Sequence, residues 1–272
     1  MPKDSSSKTL FAPFAHLRLH SEFSIIDGLI TIKPLLQRLH KMQMPAVAIT
    51  DLSNMFALIK FYSGASKAGF PVAVHCVEQE AVAAAAQVIS ELPPLPAGVP
   101  PHRIEHCSEC PPEVLDVVRR SGAAVVTQPG FIYWNGPSYR ANVAESLQPH
   151  LYPIGALVAA GINAAFGSDA SVINPNPWTA IHSAATRQDY TTQTFPESNG
   201  SVRVSVQSAL RMYTLSGAEV EGTAQNKGSI ALGKLADMVL VDANPLKVGT
   251  DELKDIKAKM TMVGGQVVWE GQ

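Results

Sequence analysis

Three apolar runs each close on a side chain that can bind metal or move protons: Val72-Ala-Val-His75-Cys, Arg103-Ile-Glu-His106-Cys and Phe166-Gly-Ser-Asp169-Ala-Ser. An apolar run ending on a ligand reads as a buried parallel strand whose carboxyl end opens into a site. The spacing agrees. His106 follows His75 by 31 residues, about the ~30 of one strand–helix–strand repeat, and Asp169 follows His106 by 63, about two repeats. Val125-Val-Thr-Gln128-Pro supplies the strand between. Functional residues of a β/α barrel gather where its strands end, so two histidines and an aspartate converging there point to a divalent metal that activates water.

The length of 272 residues suits one β/α barrel of about 250 residues or two smaller domains. With 46% hydrophobic and 16% charged residues an extensive core is available, and disorder is expected only at the ends. The net charge of −2 and the lack of a basic block exclude an electrostatic nucleic-acid footprint. No apolar run reaches the ~18 residues of a membrane span, and the polar start Met1-Pro-Lys-Asp-Ser-Ser-Ser-Lys lacks a signal-peptide core. Three cysteines give no disulfide framework, so a cytoplasmic protein is expected.

Along the chain, residues 1–13 read as a flexible leader. Leu17–Phe23 and Pro45–Asp51 read as strands, Thr31–Met42 and Ala57–Lys67 as helices. After the His75 strand, Glu78–Glu91 is an alanine-rich helix and 92–101 a proline-rich loop. The His106 strand, a helix opened by Pro111-Pro-Glu and the Gln128 strand follow. Next come an irregular aromatic stretch with Tyr133, Trp134 and Tyr139, then a helix over Tyr152–Gly161. Beyond 188 the cadence changes: a polar loop to 202, an amphipathic helix over Val204–Ser216, then strands at 228–232, 236–242 and 260–269, the last a hairpin turning at Gly264-Gly265.

From about Gly69 onward, the motifs VAVHC, HRIEHC, VTQP, GSDAS and GSIALGKLADMVLVDANPL resemble the C-terminal half of metal-dependent amidohydrolases of the imidazolonepropionase and D-aminoacylase kind. That resemblance implies barrel strands five to eight of an enzyme hydrolysing amide-like, non-peptide C–N bonds of a small molecule. His75 and His106 would be strand-five and strand-six ligands to a divalent metal, zinc before others, and Asp169 the strand-eight residue that binds metal and shuttles the proton. Residues 14–70 are instead similar to the opening of the PHP domain of the bacterial DNA polymerase III alpha subunit, through FAHLRLHSEFSIIDGLITIKPLL, MPAVAITDLSNM and ALIKFYSGASKAGF. The two likenesses meet at Lys67-Ala-Gly-Phe-Pro-Val, so the chain reads as a chimera of two barrel pieces.

The expected architecture is therefore α/β: a TIM-like (β/α) barrel, closed or incomplete, from residues 14–70 and 71–202, with a C-terminal helix and partial β-sandwich over 203–272. His16, Arg18 and His20 alternate onto one face of the first strand. Arg18 occupies the place where a PHP domain would put the first histidine of its own pair, and as a permanent cation it cannot bind metal. The metal set is His20, His75, His106 and Asp169, with Asp169 as general base and with Gln128 and Trp134 facing substrate. Against this stand plainer roles: Asp169 as an N-cap or ion-pair partner, Asp51 as a helix cap beside Asn54, and the aromatics Trp134, Tyr139 and Trp178 as loop packing. Cys107-x-x-Cys110 reads as structural thiols and His182 as a packing histidine. Self-association is expected if strand edges are left open. The competing activities are a PHP-type phosphoesterase or polymerase fragment, and a catalytically silent chimera.

Overall fold

The computed structural model describes residues 15, 18–42, 44, 46–51, 57–198 and 202–271. The chain divides into two compact units, Met1–Phe70 and Pro71–Gln272.

In the first unit, α1 (Ile32–Lys41) buries Ile32, Leu36 and Leu39, a three-to-four residue spacing that makes one apolar stripe. It packs on α2 (Leu58–Lys67), where Gly64 gives the Leu36 side chain room that a Cβ would occupy. The two helices fall where the sequence places them. The two expected strands do not form as regular elements among the described residues. The 19 and 50 backbones touch through a single bond, Thr50 N–H to Leu19 O at 2.9 Å, and Ser21 makes an isolated bridge to Ile30. Tight turns closing on Ser21 and Ser24 carbonyls divert the chain at this point. His16 and Asn54 lie outside the described residues.

The second unit is built on a parallel sheet of β1 (Ala73–Cys76), β2 (Arg103–His106), β3 (Ala124–Thr127) and β4 (Ala164–Phe166), in that spatial order. The register aligns Val74, Ile104, Val125 and Ala164 across one face, and His75, Glu105, Val126 and Ala165 across the other. α3 (Gln79–Ser90) buries Val82, Ala85, Ala86 and Ile89, α4 (Pro112–Ser121) buries Val114 and Val118, and the two helices pack on one another. Each fully buried valine or isoleucine here contributes roughly 1.5–3 kcal/mol relative to exposure. Gly122, with φ +69°, ends α4 in the left-handed conformation that a side chain would resist.

After β3, residues Gly130–Asn142 form α5, a 13-residue helix where the sequence reads as irregular. α6 (Ile154–Ala159) leads into β4, and α7 (Pro177–Thr186) opens with Asn176 Oδ1 accepting the Trp178 N–H at 3.0 Å. The single helix expected at 204–216 is two, α8 (Val206–Tyr213) and α9 (Leu215–Glu221), broken at Thr214. Val220 of α9 packs against Ala124, Ala165 and Val126 on the second face of the sheet.

The tail forms an antiparallel sheet of β5 (Met238–Val241), β6 (Ala258–Val263) and β7 (Gln266–Glu270). Gly264 and Gly265 both take positive φ, as a two-residue hairpin turn requires. The strand expected at 228–232 is absent among the described residues. Gly228 and Gly233, at φ +88° and +87°, turn the chain there and leave Ile230 and Leu232 exposed. Among the described residues no helix is long and apolar enough to cross a membrane.

Candidate metal centre

The carboxyl ends of β1 and β2 bring His75 and His106 together. Their rings lie 4.6 Å apart, edge to face at 79°. Strand alternation alone would not do this. Register pairs His106 with Cys76, so a regular strand would carry it away from His75. The backbone breaks the alternation: His106 has φ +70° and Cys107 +50°. The turn is tied to the end of β1 by Cys107 N–H to Cys76 O at 3.1 Å and Glu109 N–H to Val77 O at 3.0 Å. Non-glycine residues seldom hold this conformation, and where they do the surroundings over-determine it.

His106 is 7% exposed and His75 is exposed. His106 Nδ1 and Gln128 Oε1 are 2.7 Å apart, and Gln128, 3% exposed, donates from Nε2 to the Val126 carbonyl at 3.1 Å. Its amide is thus engaged within the protein. Phe131 meets the His106 imidazole edge to face at 6.3 Å, and Tyr152 stacks on Phe131 at 5.9 Å. The Tyr152 hydroxyl pairs with that of Tyr139 at 3.2 Å. Burial first, then the Tyr139 phenol, pushes Tyr152 well above the usual phenol range, so it stays protonated. Sequence reading missed Phe131 and Tyr152 as the floor of this site, because nothing in an apolar run tells which aromatic meets a histidine.

Asp169 lies three residues past β4, exposed, with φ +54°, its carbonyl accepting the Val172 N–H at 2.8 Å. Its charge is the smallest of the influences that raise Tyr152. Trp134, 37% exposed on α5, meets Tyr133 edge to face at 5.0 Å. His182 is buried in α7, its Nδ1 2.9 Å from Thr250 O, which is a packing role. The three cysteines are buried. The thiol contact with Cys110, then burial, raises Cys107 well above its usual range, and burial pushes Cys76 up to about 12, so neither offers a thiolate.

His20, in the first unit, is already engaged there. Its Nδ1 meets Asp27 Oδ2 at 2.7 Å and its Nε2 accepts from Arg18 Nε at 3.5 Å. Asp51 accepts from the Ser21 N–H and hydroxyl, both at 2.6 Å, so it holds the Ser21 turn.

A divalent ion can be tested against this donor set. Two nitrogens sharing a zinc at about 2.0–2.1 Å lie about 3.3 Å apart, which suits imidazoles in contact. Among the described residues no three His, Cys, Asp or Glu side chains converge closely enough to hold a metal. The histidine pair therefore fits as part of a site, with Asp169, past the end of β4 and two strands from β2, as the further donor that the sequence offers.

Comparison with known proteins gives the family and the fold. A family model described as "Amidohydrolase family" matches residues 48–269. The chain belongs to the amidohydrolase family. It is 27% identical over 206 residues to the YtcJ protein of Bacillus subtilis strain 168, named for amidohydrolase activity, covering 76% of this chain and 39% of that one. A metal-dependent hydrolase of Pyrococcus horikoshii OT3 superposes with a TM-score of 0.62 at 19% identity, over 87% of this chain and 57% of the other. A Xaa-Pro dipeptidase does so with 0.59 at 20%, over 88% and 58%. These likenesses place the fold among TIM-like barrels. A separate 58-residue stretch, 21% of the chain, is 59% identical to DNA polymerase III subunit alpha of Pseudomonas fluorescens and covers 5% of that protein. Two likenesses to different proteins thus stand in one chain, which spans under two thirds of each of these relatives.

Proposed function

We propose that this amidohydrolase-family chain is a metal-dependent hydrolase of amide-like, non-peptide C–N bonds in small molecules, its activity lowered by the foreign first 70 residues. The observation that carries the reading is the meeting of His75 and His106 at the ends of adjacent parallel strands, produced by a left-handed turn that local sequence preference would not choose. His75 and His106 would hold the ion, and imidazole donors suit zinc. When bound, such an ion lowers the pKa of water towards about 7 and polarises the carbonyl. Asp169, exposed past the end of β4, accepts the proton of the attacking water and returns it to the nitrogen as the C–N bond breaks, leaving a carboxylic acid and an amine. Trp134 offers an exposed aromatic edge to the apolar part of a substrate.

The phosphoesterase alternative is supported less well, because Arg18 donates to the ring nitrogen of His20 that a metal would need. The deciding experiment is elemental analysis of purified chain beside the His75→Ala/His106→Ala double variant, with turnover of N-acyl amino acids and cyclic amides. About one equivalent of zinc in the parent, lost in the double variant, is expected. The Asp169→Asn variant is expected to keep the histidine-held metal and lose activity by ~10²-fold or more. A folded parent without metal sinks the reading.

A further inference from the structure

We propose that Gln128 is a positioning residue: it fixes the tautomer of His106 so that Nε2 carries the free lone pair. The Val126 carbonyl can only accept, so the Gln128 atom 3.1 Å from it is the amide nitrogen. Oε1 therefore faces His106, and an amide oxygen can only accept, so the Nδ1 that lies 2.7 Å away carries the hydrogen. In the neutral ring the lone pair is then left on Nε2. Gln128 is itself held firmly. It is buried, and its own carbonyl accepts the Phe131 N–H at 3.1 Å at the entry to α5. The Phe131 ring meets the same imidazole edge to face. The amide assigned to substrate contact by sequence thus has its oxygen and one of its hydrogens committed inside the protein.

A metal-bound histidine ordinarily hands its other nitrogen to such an acceptor, and removing that acceptor typically costs 10–100-fold in affinity. This consequence rests on the reading of His106 as a ligand; the tautomer itself does not. The test is nitrogen-15 NMR of the imidazoles in chelator-treated full-length chain, roughly two units above the ordinary histidine pKa of about 6.5. The His106 signal would be assigned by its disappearance in His106→Gln. Wild type is expected to show Nδ1–H and a bare Nε2. Gln128→Met, which keeps length and loses the acceptor, is expected to shift His106 towards Nε2–H. Gln128→Glu, which keeps the acceptor, is expected to retain Nδ1–H. Unchanged signals from the other histidines report that each variant is folded, with Gln128→Ala as the second acceptor-less variant should Gln128→Met not fold.

Zinc affinity, measured on the same samples, is expected to fall ~10–100-fold in Gln128→Met and to recover in Gln128→Glu. An Nε2–H tautomer in wild type, or one indifferent to Gln128→Met and Gln128→Ala, overturns the inference even if zinc binds. The expected tautomer pattern without zinc binding upholds the inference and removes the hydrolase reading instead.

Discussion

At His106 the backbone conformation and the side chain's place at the site are one feature. A left-handed non-glycine residue costs roughly 1–2 kcal/mol, and here it turns the imidazole toward His75. Replacing His106 removes the Gln128 bond whatever enters, so two replacements isolate the backbone cost. His106→Gly is expected to be more stable than His106→Ala by about 1 kcal/mol, read from urea unfolding midpoints, although glycine ordinarily loses to alanine. Equal or reversed stability would show that the left-handed turn is not present in solution. Composition gives no hint of this turn, since histidine and cysteine are poor markers of positive φ where glycine or asparagine would advertise it. The sequence therefore identified which residues to watch, while the break in alternation that joins two of them came only with the structure.

Elements were legible where period and punctuation agreed. The four short parallel strands declared themselves as apolar runs, α3 as an alanine-rich run before a proline-rich loop, and α4 by its proline start. α5 did not, because Gly130, Gly136 and Pro137 all argue against a helix. Tertiary contacts outweigh them: Gly136 makes room for the Asp189 side chain, and Arg140, one turn on, pairs with its carboxylate. The loop past α7 is fastened similarly by buried Arg187, which donates to the carbonyls of Gln148, Leu151, Tyr152 and Pro196. Arg187→Met would leave those acceptors unsatisfied and is expected to cost at least about 3 kcal/mol in urea unfolding. A second buried group sets a pH dependence. His102, 8% exposed, accepts the Val72 N–H on Nδ1 at 3.2 Å, and burial holds its pKa below the usual imidazole value. A lowered folded-state pKa means the neutral form is favoured by folding. Its contribution is complete above the unfolded value of about 6.5 and is lost as pH falls through the lower folded value. Unfolding midpoints of wild type should drop on acidification through this window more than those of His102→Asn; parallel curves would exclude the linkage.

At the scale of the molecule, the family match beginning at residue 48 and the polymerase likeness describe one polypeptide from two directions. The βα cadence made the parallel half readable, whereas the first unit keeps its two helices without regular strands among the described residues. β5, β6 and β7 leave Val239, Leu240, Val267 and Trp269 exposed. The question for function is whether the first unit contributes a metal ligand. Its match to a PHP ligand position made His20 the candidate. Its two ring nitrogens are instead taken, one by Asp27 and one by the guanidinium of Arg18, and a fixed positive charge at the second nitrogen opposes a cation. The Asp27 carboxylate is in turn held below its usual range, chiefly by the Ser24 hydroxyl and then by His20, so breaking this cluster to free the imidazole would cost those bonds. His20→Ala should accordingly leave zinc content and affinity unchanged, while His75→Ala in the same preparation removes the metal. Elemental analysis of the two single variants decides it. Loss of metal in His20→Ala would mean that the cluster opens on binding and that both units build one centre; retention confines the centre to residues 71–272, and the first unit then bears on activity without touching the ion.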